Sequence, residues 1–108
     1  MDKLSEWVED INRSKKSIIV EGKNDIKALL EIGVTNEIQP LSKKPIYKVV
    51  EDFHYKDVIV LTDFDKKGKE LYGKLNSGLQ SRGVKVDKTY REWLQKNIKI
   101  SHIEGINK

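Results

Sequence analysis

Three acidic side chains follow two apolar segments of this sequence. Glu21 lies near the end of SIIVEG at residues 17–22, and Asp63 and Asp65 end VIVLTDFD at residues 58–65. Each apolar run has the composition of a buried β-strand. Carboxylates that gather in one place repel one another unless a cation lies between them, and hard oxygen ligands suit Mg²⁺. Bound Mg²⁺ can stabilise the charge that develops in phosphoryl transfer.

Three lysines flank these acids. Lys23 directly follows Gly22 at a predicted helix start, and Lys66 and Lys67 occupy the first turn of another predicted helix. The helix macrodipole disfavours cations in a first turn, whereas a helix start is a natural site for anions. We therefore expect the lysines to contact phosphate oxygens. The alternative is that the neighbouring aspartates simply offset their charge.

A purely structural interpretation stays open for each acid taken alone. Asp65 can cap the helix that begins at Lys66, and Asp63 and Glu21 can be solvated strand ends. The functional interpretation requires the two strands to be neighbours in a parallel sheet. Ligands of such sheets bind outside the carboxyl ends of the strands, where the three carboxylates would then converge.

The elements that must position these residues alternate along the chain. Apolar spacings of three and four residues predict helices, and short apolar runs that end in glycine, proline or acid predict strands. The predicted order is five helices with four strands between them, the strands lying at 17–22, 37–41, 57–63 and 84–87, with a last short strand or extended end at 100–106. This alternation predicts an α/β, Rossmann-like fold with about four mainly parallel strands and helices on both faces.

Local signals refine three of these elements. The first helix is predicted at about 2–14, ahead of a core at about 15–106, and Asn24 or Asp25 is expected to cap the second helix. Pro40 limits its strand to an edge or an end of the sheet, because proline cannot donate to a strand ladder.

Composition restricts the class of protein. The 108 residues suffice for one domain, predicted to span 1–108. A net charge of +4 permits nucleic acid as a partner without requiring it. The lack of cysteine excludes disulfides and thiolate metal sites. No signal peptide or apolar run of membrane-spanning length is evident, so we expect a soluble cytoplasmic protein with no membrane partner.

Two segments resemble the motifs of the Toprim domain. IIVEGKNDIKAL at 18–29 is similar to its first motif, and VIVLTDFDKKGKEL at 58–71 is similar to its second. Type IA and type II topoisomerases, bacterial-type primases, overcoming-lysogenization-defect nucleases and the bacterial 5S ribosomal RNA maturase share this domain. The resemblance covers about residues 15–106 and is strongest to small stand-alone archaeal Toprim proteins and to the Toprim half of the maturase.

The resemblance implies a role for each matching residue. Glu21 matches a glutamate that acts as general acid or base, and that also belongs to the metal-binding set with Asp63 and Asp65. Gly22 and Gly68 match the motif glycines. Asp25 matches an acidic position with an accessory role. The implied cofactor is Mg²⁺, with Mn²⁺ as an alternative.

Two functions follow as expectations. The first is a Mg²⁺-dependent nuclease or RNA-processing protein, with RNA favoured over DNA by likeness to the maturase. The second is a non-catalytic module that binds RNA or DNA, or a subunit of a nucleic-acid-processing complex, alone or as a homo-oligomer. Further basic residues motivate the second: Lys15, Lys16, Lys43, Lys44, Lys85, Lys88, Arg91, Lys96 and Lys99. His54 and His102 have no paired nucleophile, and no catalytic role is expected of either.

Overall fold

The computed structural model describes residues 2–42 and 44–107. Within these ranges, helices and strands alternate as predicted: α1 Lys3–Ser14, β1 Ile18–Val20, α2 Lys23–Glu31, β2 Ile38–Pro40, α3 Ile46–Asp52, β3 Asp57–Leu61, α4 Lys66–Ser81, β4 Lys85–Asp87 and α5 Thr89–Asn97. A short 3₁₀ turn, Ile103–Gly105, follows α5.

The four strands form one parallel sheet in the order β2-β1-β3-β4. The central strands β1 and β3 are in register, with Ile18 opposite Ile59 and Val20 opposite Leu61. Strand β2 lies at one edge and ends at Pro40, as the proline predicts. The predicted α/β, Rossmann-like fold class is confirmed.

Helices cover both faces of the sheet. Alternate residues of a strand point to opposite faces: Ile18 and Val20 pack with α1, α2 and α5, whereas Ile19 between them packs with α3 and α4. All three isoleucine and valine side chains are fully buried, as expected for a strand that is covered on both sides. The apolar run at β1 therefore serves two separate layers of the core.

Helix α1 is part of this core. Trp7 is buried, its indole Nε1–H donates to the Tyr90 carbonyl at 3.1 Å, and its ring stacks on Trp93 with centroids 6.4 Å apart. The Tyr90 hydroxyl donates to Asp10 Oδ2 at 2.7 Å. Burial, with Asp10 alongside, raises the pKa of Tyr90 to about 12. These contacts hold α1 against α5.

The prediction of a last short strand or extended end at 100–106 is wrong for Ile103–Gly105, which form a 3₁₀ turn. Ser101 accepts a hydrogen bond through its carbonyl from the Phe64 N–H at 2.9 Å, and the chain then forms the 3₁₀ turn. Ile103 and Ile106 are both buried, and a spacing of three residues places them on one side of such a turn. The apolar residues thus enter the core without joining the sheet.

Among the described residues, no helix is both long and apolar enough to cross a membrane.

Candidate functional site

The acidic residues meet at the carboxyl edge of the sheet. Because β1 and β3 are parallel neighbours in register, Glu21 and Asp63 leave the sheet side by side. Glu21 Oε2 accepts a hydrogen bond from the Asp63 backbone N–H at 2.7 Å. The neighbouring strands that the functional interpretation requires are present.

Each of the three carboxylates has one oxygen held by a backbone N–H. Glu21 is held by Asp63, as described above. Asp63 Oδ1 accepts from the Ile103 N–H at 2.8 Å, and Asp65 Oδ1 accepts from the Gly68 N–H at 2.7 Å. Asp65 is therefore the N-cap of α4, as the structural interpretation predicts. A cap bond uses only one carboxylate oxygen, so capping does not prevent Asp65 from binding a cation through the other.

A compact set of ligand atoms lies at this edge. Asp63, Asp65 and His102 each offer one atom, and the three atoms lie within 4.8 Å of one another. His102 Nε2 lies 3.3 Å from Asp65 Oδ2, with the two side chains 52% and 42% exposed. Two carboxylates and an imidazole are chemically suited to a divalent cation, so the residues fit the implied metal.

Glu21 does not belong to this compact set, although it contacts Asp63. Burial raises the pKa of Glu21, and the negative charges of Asp63, Asp25 and Asp65 act in the same direction, against the Asp63 N–H bond that lowers it. The raised pKa brings this carboxyl group closer to the pKa range in which a general acid or base works. The roles of Glu21 as acid or base and as metal ligand both stay predictions.

Sequence reasoning set His102 aside, and the fold brings it to the site. His102 lies in the segment predicted as a short strand or extended end, and its two neighbours make the contacts that fix its position. The Ser101 carbonyl binds the Phe64 N–H, and the Ile103 N–H binds Asp63. These hydrogen bonds join residues about 40 positions apart in the sequence, so no local sequence pattern predicts them. The only available signal was that His102 is one of two histidines in the chain.

Arg91 is a second residue that supports the site and whose position was not predicted from the sequence. It was expected to belong to a basic surface, but it is buried, with 6% of its surface exposed. Its Nε donates to the Thr62 carbonyl at 3.0 Å and its Nη2 to the Asp63 carbonyl at 2.5 Å. The guanidinium lies between the rings of Phe64 and Tyr72, 4.5 and 4.2 Å from their centroids. Arg91 therefore holds the backbone that carries Asp63.

The two motif glycines differ in what they require. A Cβ at Gly68 would lie 2.1 Å from the Asp63 carbonyl oxygen, so any side chain there displaces Asp63. Gly22 has extended backbone and nothing within 4 Å of a Cβ. Of the two motif glycines, only Gly68 is required by packing.

The lysines predicted to bind phosphate are exposed. Lys23 begins α2, and Lys66 and Lys67 begin α4 directly after Asp65. In the wider basic set, Lys16 pairs with Asp87 at 2.8 Å, Arg91 is buried and Lys43 lies outside the described residues. The rest of that set is exposed: Lys15, Lys44, Lys85, Lys88, Lys96 and Lys99.

Asp25 turns inward and binds the turn after β1. Its Oδ2 accepts from the N–H groups of Glu21 at 3.2 Å and Gly22 at 3.1 Å. The N-cap of α2 is Gly22, so the prediction that Asn24 or Asp25 caps this helix is wrong for both residues. Asp25 acts from the third helical position instead. An acid at this position can reach back to the cap amide, as in a capping box.

Two substitutions of Asp25 distinguish the contribution of its hydrogen bonds to stability from the contribution of its charge. Burial raises the pKa of Asp25, with Asp63 acting in the same direction and the two N–H bonds opposing. A carboxyl group whose pKa is higher in the folded than in the unfolded protein stabilises the fold at pH values below its unfolded-state pKa. This contribution to the free energy of unfolding is lost as the pH rises through its folded-state pKa. In metal-free protein at pH 7 we expect Asp25→Asn to match or exceed the wild type in stability, because the amide oxygen keeps both bonds.

Asp25→Ala is the matched variant, since it removes both bonds. It should lower the free energy of unfolding by about 1–3 kcal/mol. Urea denaturation between pH 4 and 7 measures both effects, and the advantage of Asp25→Asn should shrink towards pH 4. An Asn variant more than about 1 kcal/mol less stable than wild type at pH 7 would show that the charge itself is stabilising.

Comparison with known proteins places the chain in a family. No protein-family profile matches it. The UPF0292 protein of Methanocaldococcus jannaschii is 35% identical over 97% of this chain and 88% of the relative, and that of Thermococcus sibiricus is 36% identical over 96% and 82%. A solved structure of a putative protein from Aquifex aeolicus superimposes with a TM-score of 0.85 at 35% identity, covering 97% of this chain and 99% of that one. The chain therefore belongs to the UPF0292 family.

Proposed function

We propose that this protein is a divalent-metal-dependent phosphotransfer enzyme of Toprim type that acts on nucleic acid, as a nuclease or an RNA-processing protein. The observation that carries the proposal is the convergence of Glu21, Asp63 and Asp65 from two neighbouring parallel strands, each with one oxygen held by a backbone N–H. Preorganised carboxylates of this kind are favourable for binding a cation, since their orientation does not have to be fixed on binding.

Each residue has a distinct part in this proposal. Asp63 and Asp65 would hold the metal, and a bound Mg²⁺ or Mn²⁺ would supply charge stabilisation to the phosphoryl group. Glu21 moves the proton of the attacking water or of the leaving oxygen. The exposed Lys23, Lys66 and Lys67 bind phosphates that flank the scissile one. RNA is the favoured substrate because the sequence resembles the maturase more than the topoisomerases.

The test is cleavage of an RNA and DNA panel by purified protein with Mg²⁺ or Mn²⁺. Glu21→Gln should slow cleavage by about 100-fold or more, because the amide cannot exchange the proton. The control is Glu9→Gln, which changes an exposed glutamate on α1 and should cleave at the wild-type rate. The proposal is wrong if wild-type protein cleaves no member of the panel, or if Glu21→Gln cleaves as fast as wild type.

A binding module without chemistry is the second candidate. The exposed lysines at the starts of α2 and α4 favour this candidate. A phosphate of a nucleic-acid backbone at either helix start would contact both a lysine ammonium group and backbone N–H groups of the helix. If the protein is a binding module, its affinity for RNA or DNA in gel-shift assays should fall steeply with salt concentration, and Asp63→Asn should bind as tightly as wild type. Failure to retain RNA or DNA at low salt would exclude it.

A further inference from the structure

We propose that His102 is a third metal ligand beside Asp63 and Asp65, and that its imidazole makes the centre bind Mn²⁺ more tightly than Mg²⁺. The inference rests on the proposed function in one respect only: the two aspartates hold a divalent cation. It adds a ligand, and a preference between cations, that neither the sequence motifs nor the relatives assign.

The backbone on both sides of His102 is tied to the loop that carries the aspartates. The Ser101 carbonyl accepts from the Phe64 N–H at 2.9 Å, and the Ile103 N–H donates to Asp63 Oδ1 at 2.8 Å. Ile103 is fully buried, which anchors this segment in the core. The contacts of Ser101 and Ile103 therefore fix the position of His102 at the site.

The imidazole is also oriented for binding. Ser101 Oγ lies 3.1 Å from Nδ1, so the hydroxyl can fix the ring while Nε2 faces Asp65 Oδ2 at 3.3 Å. A ligating histidine commonly has its other nitrogen hydrogen-bonded in this manner. The His102 and Asp65 side chains are about half exposed, and the rotations that bring the three ligand atoms onto one ion are therefore open to them.

The nitrogen ligand decides which cation is preferred. Mg²⁺ is bound almost entirely by oxygen and keeps much of its water, whereas imidazole suits first-row transition metals. Two carboxylates alone would accept either ion. With His102 added, the donor set gains affinity for Mn²⁺ and little for Mg²⁺. The competing interpretation is that His102 only forms an ion pair with Asp65.

The experiment uses Mn²⁺ alone as a paramagnetic probe on the full chain. Pulsed electron paramagnetic resonance of the Mn²⁺ complex should show coupling to a directly bound nitrogen, and His102→Ala should abolish it. Calorimetric titration should show Mn²⁺ affinity reduced by about tenfold or more in His102→Ala, with Mg²⁺ affinity changed by about twofold or less. His54→Ala, the other histidine, should keep both the coupling and the affinity.

The failures of this inference and of the proposed function give different results. Mn²⁺ that binds without nitrogen coupling, and that Asp63→Asn releases, overturns the role of His102 and leaves the aspartate site intact. Coupling that survives in His102→Ala overturns it too. No binding of Mn²⁺ or Mg²⁺ to wild-type protein overturns both proposals. His102→Gln, measured beside His102→Ala with urea midpoints for each, excludes misfolding as the cause of lost coupling.

Discussion

Gly68→Ala is expected to destabilise the protein by about 3 kcal/mol or more, because its Cβ would lie 2.1 Å from the Asp63 carbonyl oxygen. The backbone of Gly68 also donates to Asp65 Oδ1 at 2.7 Å and accepts from Thr62 Oγ1 at 2.8 Å. Relieving the clash moves α4 away from the end of β3 and breaks these bonds. The same movement displaces Asp63, so divalent-cation binding should be lost along with stability.

Gly73→Ala is the matched control on the same helix. A Cβ at Gly73 meets nothing within 4 Å, and the position lies in the interior of α4. Alanine there should stabilise the protein by about 0.5–1 kcal/mol, since glycine is the poorer helix former. Urea denaturation followed by tryptophan fluorescence compares the two, because Trp7 is buried against Trp93. Equal stabilities for the two alanine variants would contradict the close packing of Gly68 against Asp63.

Arg91→Lys is expected to lower the free energy of unfolding by about 3 kcal/mol, although it keeps the charge. A lysine amine cannot reproduce the planar fork that bonds two carbonyls, nor the contact with two rings. Burial lowers the pKa of Arg91, while Tyr72, Asp63 and Glu21 act in the opposite direction. The guanidinium also holds the Asp63 carbonyl, so its loss should misplace the Asp63 carboxylate and weaken divalent-cation binding.

Arg82→Lys is the comparison, because Arg82 is exposed at the end of α4. It should change stability by about 0.5 kcal/mol or less, as surface substitutions usually do. Chemical denaturation gives the stabilities, and titration with Mn²⁺ gives the second readout. An Arg91→Lys protein as stable as Arg82→Lys would mean that the buried carbonyls of Thr62 and Asp63 find other donors.

Local sequence patterns were sufficient to predict the five α-helices and four strands of this fold. The apolar periods along α1, α4 and β3 mark helix or strand directly, because each period is set by the geometry of that element alone. The acids at the strand ends were also recognisable, since carboxylates that directly follow an apolar strand must lie at the edge of a parallel sheet. The prediction for 100–106 failed because the pair Ile103 and Ile106 is compatible with several short apolar structures.

The candidate residues Glu21, Asp63 and Asp65, and the strand ends on which they lie, can be read from local patterns. The neighbouring positions of β1 and β3, the burial of Arg91 beneath Asp63 and the approach of His102 to Asp65 follow only from the folded structure. The difference comes from the range of the interactions. Helix and strand periods arise between residues a few positions apart, whereas Arg91 and His102 meet the site through contacts made only once the core has packed around them.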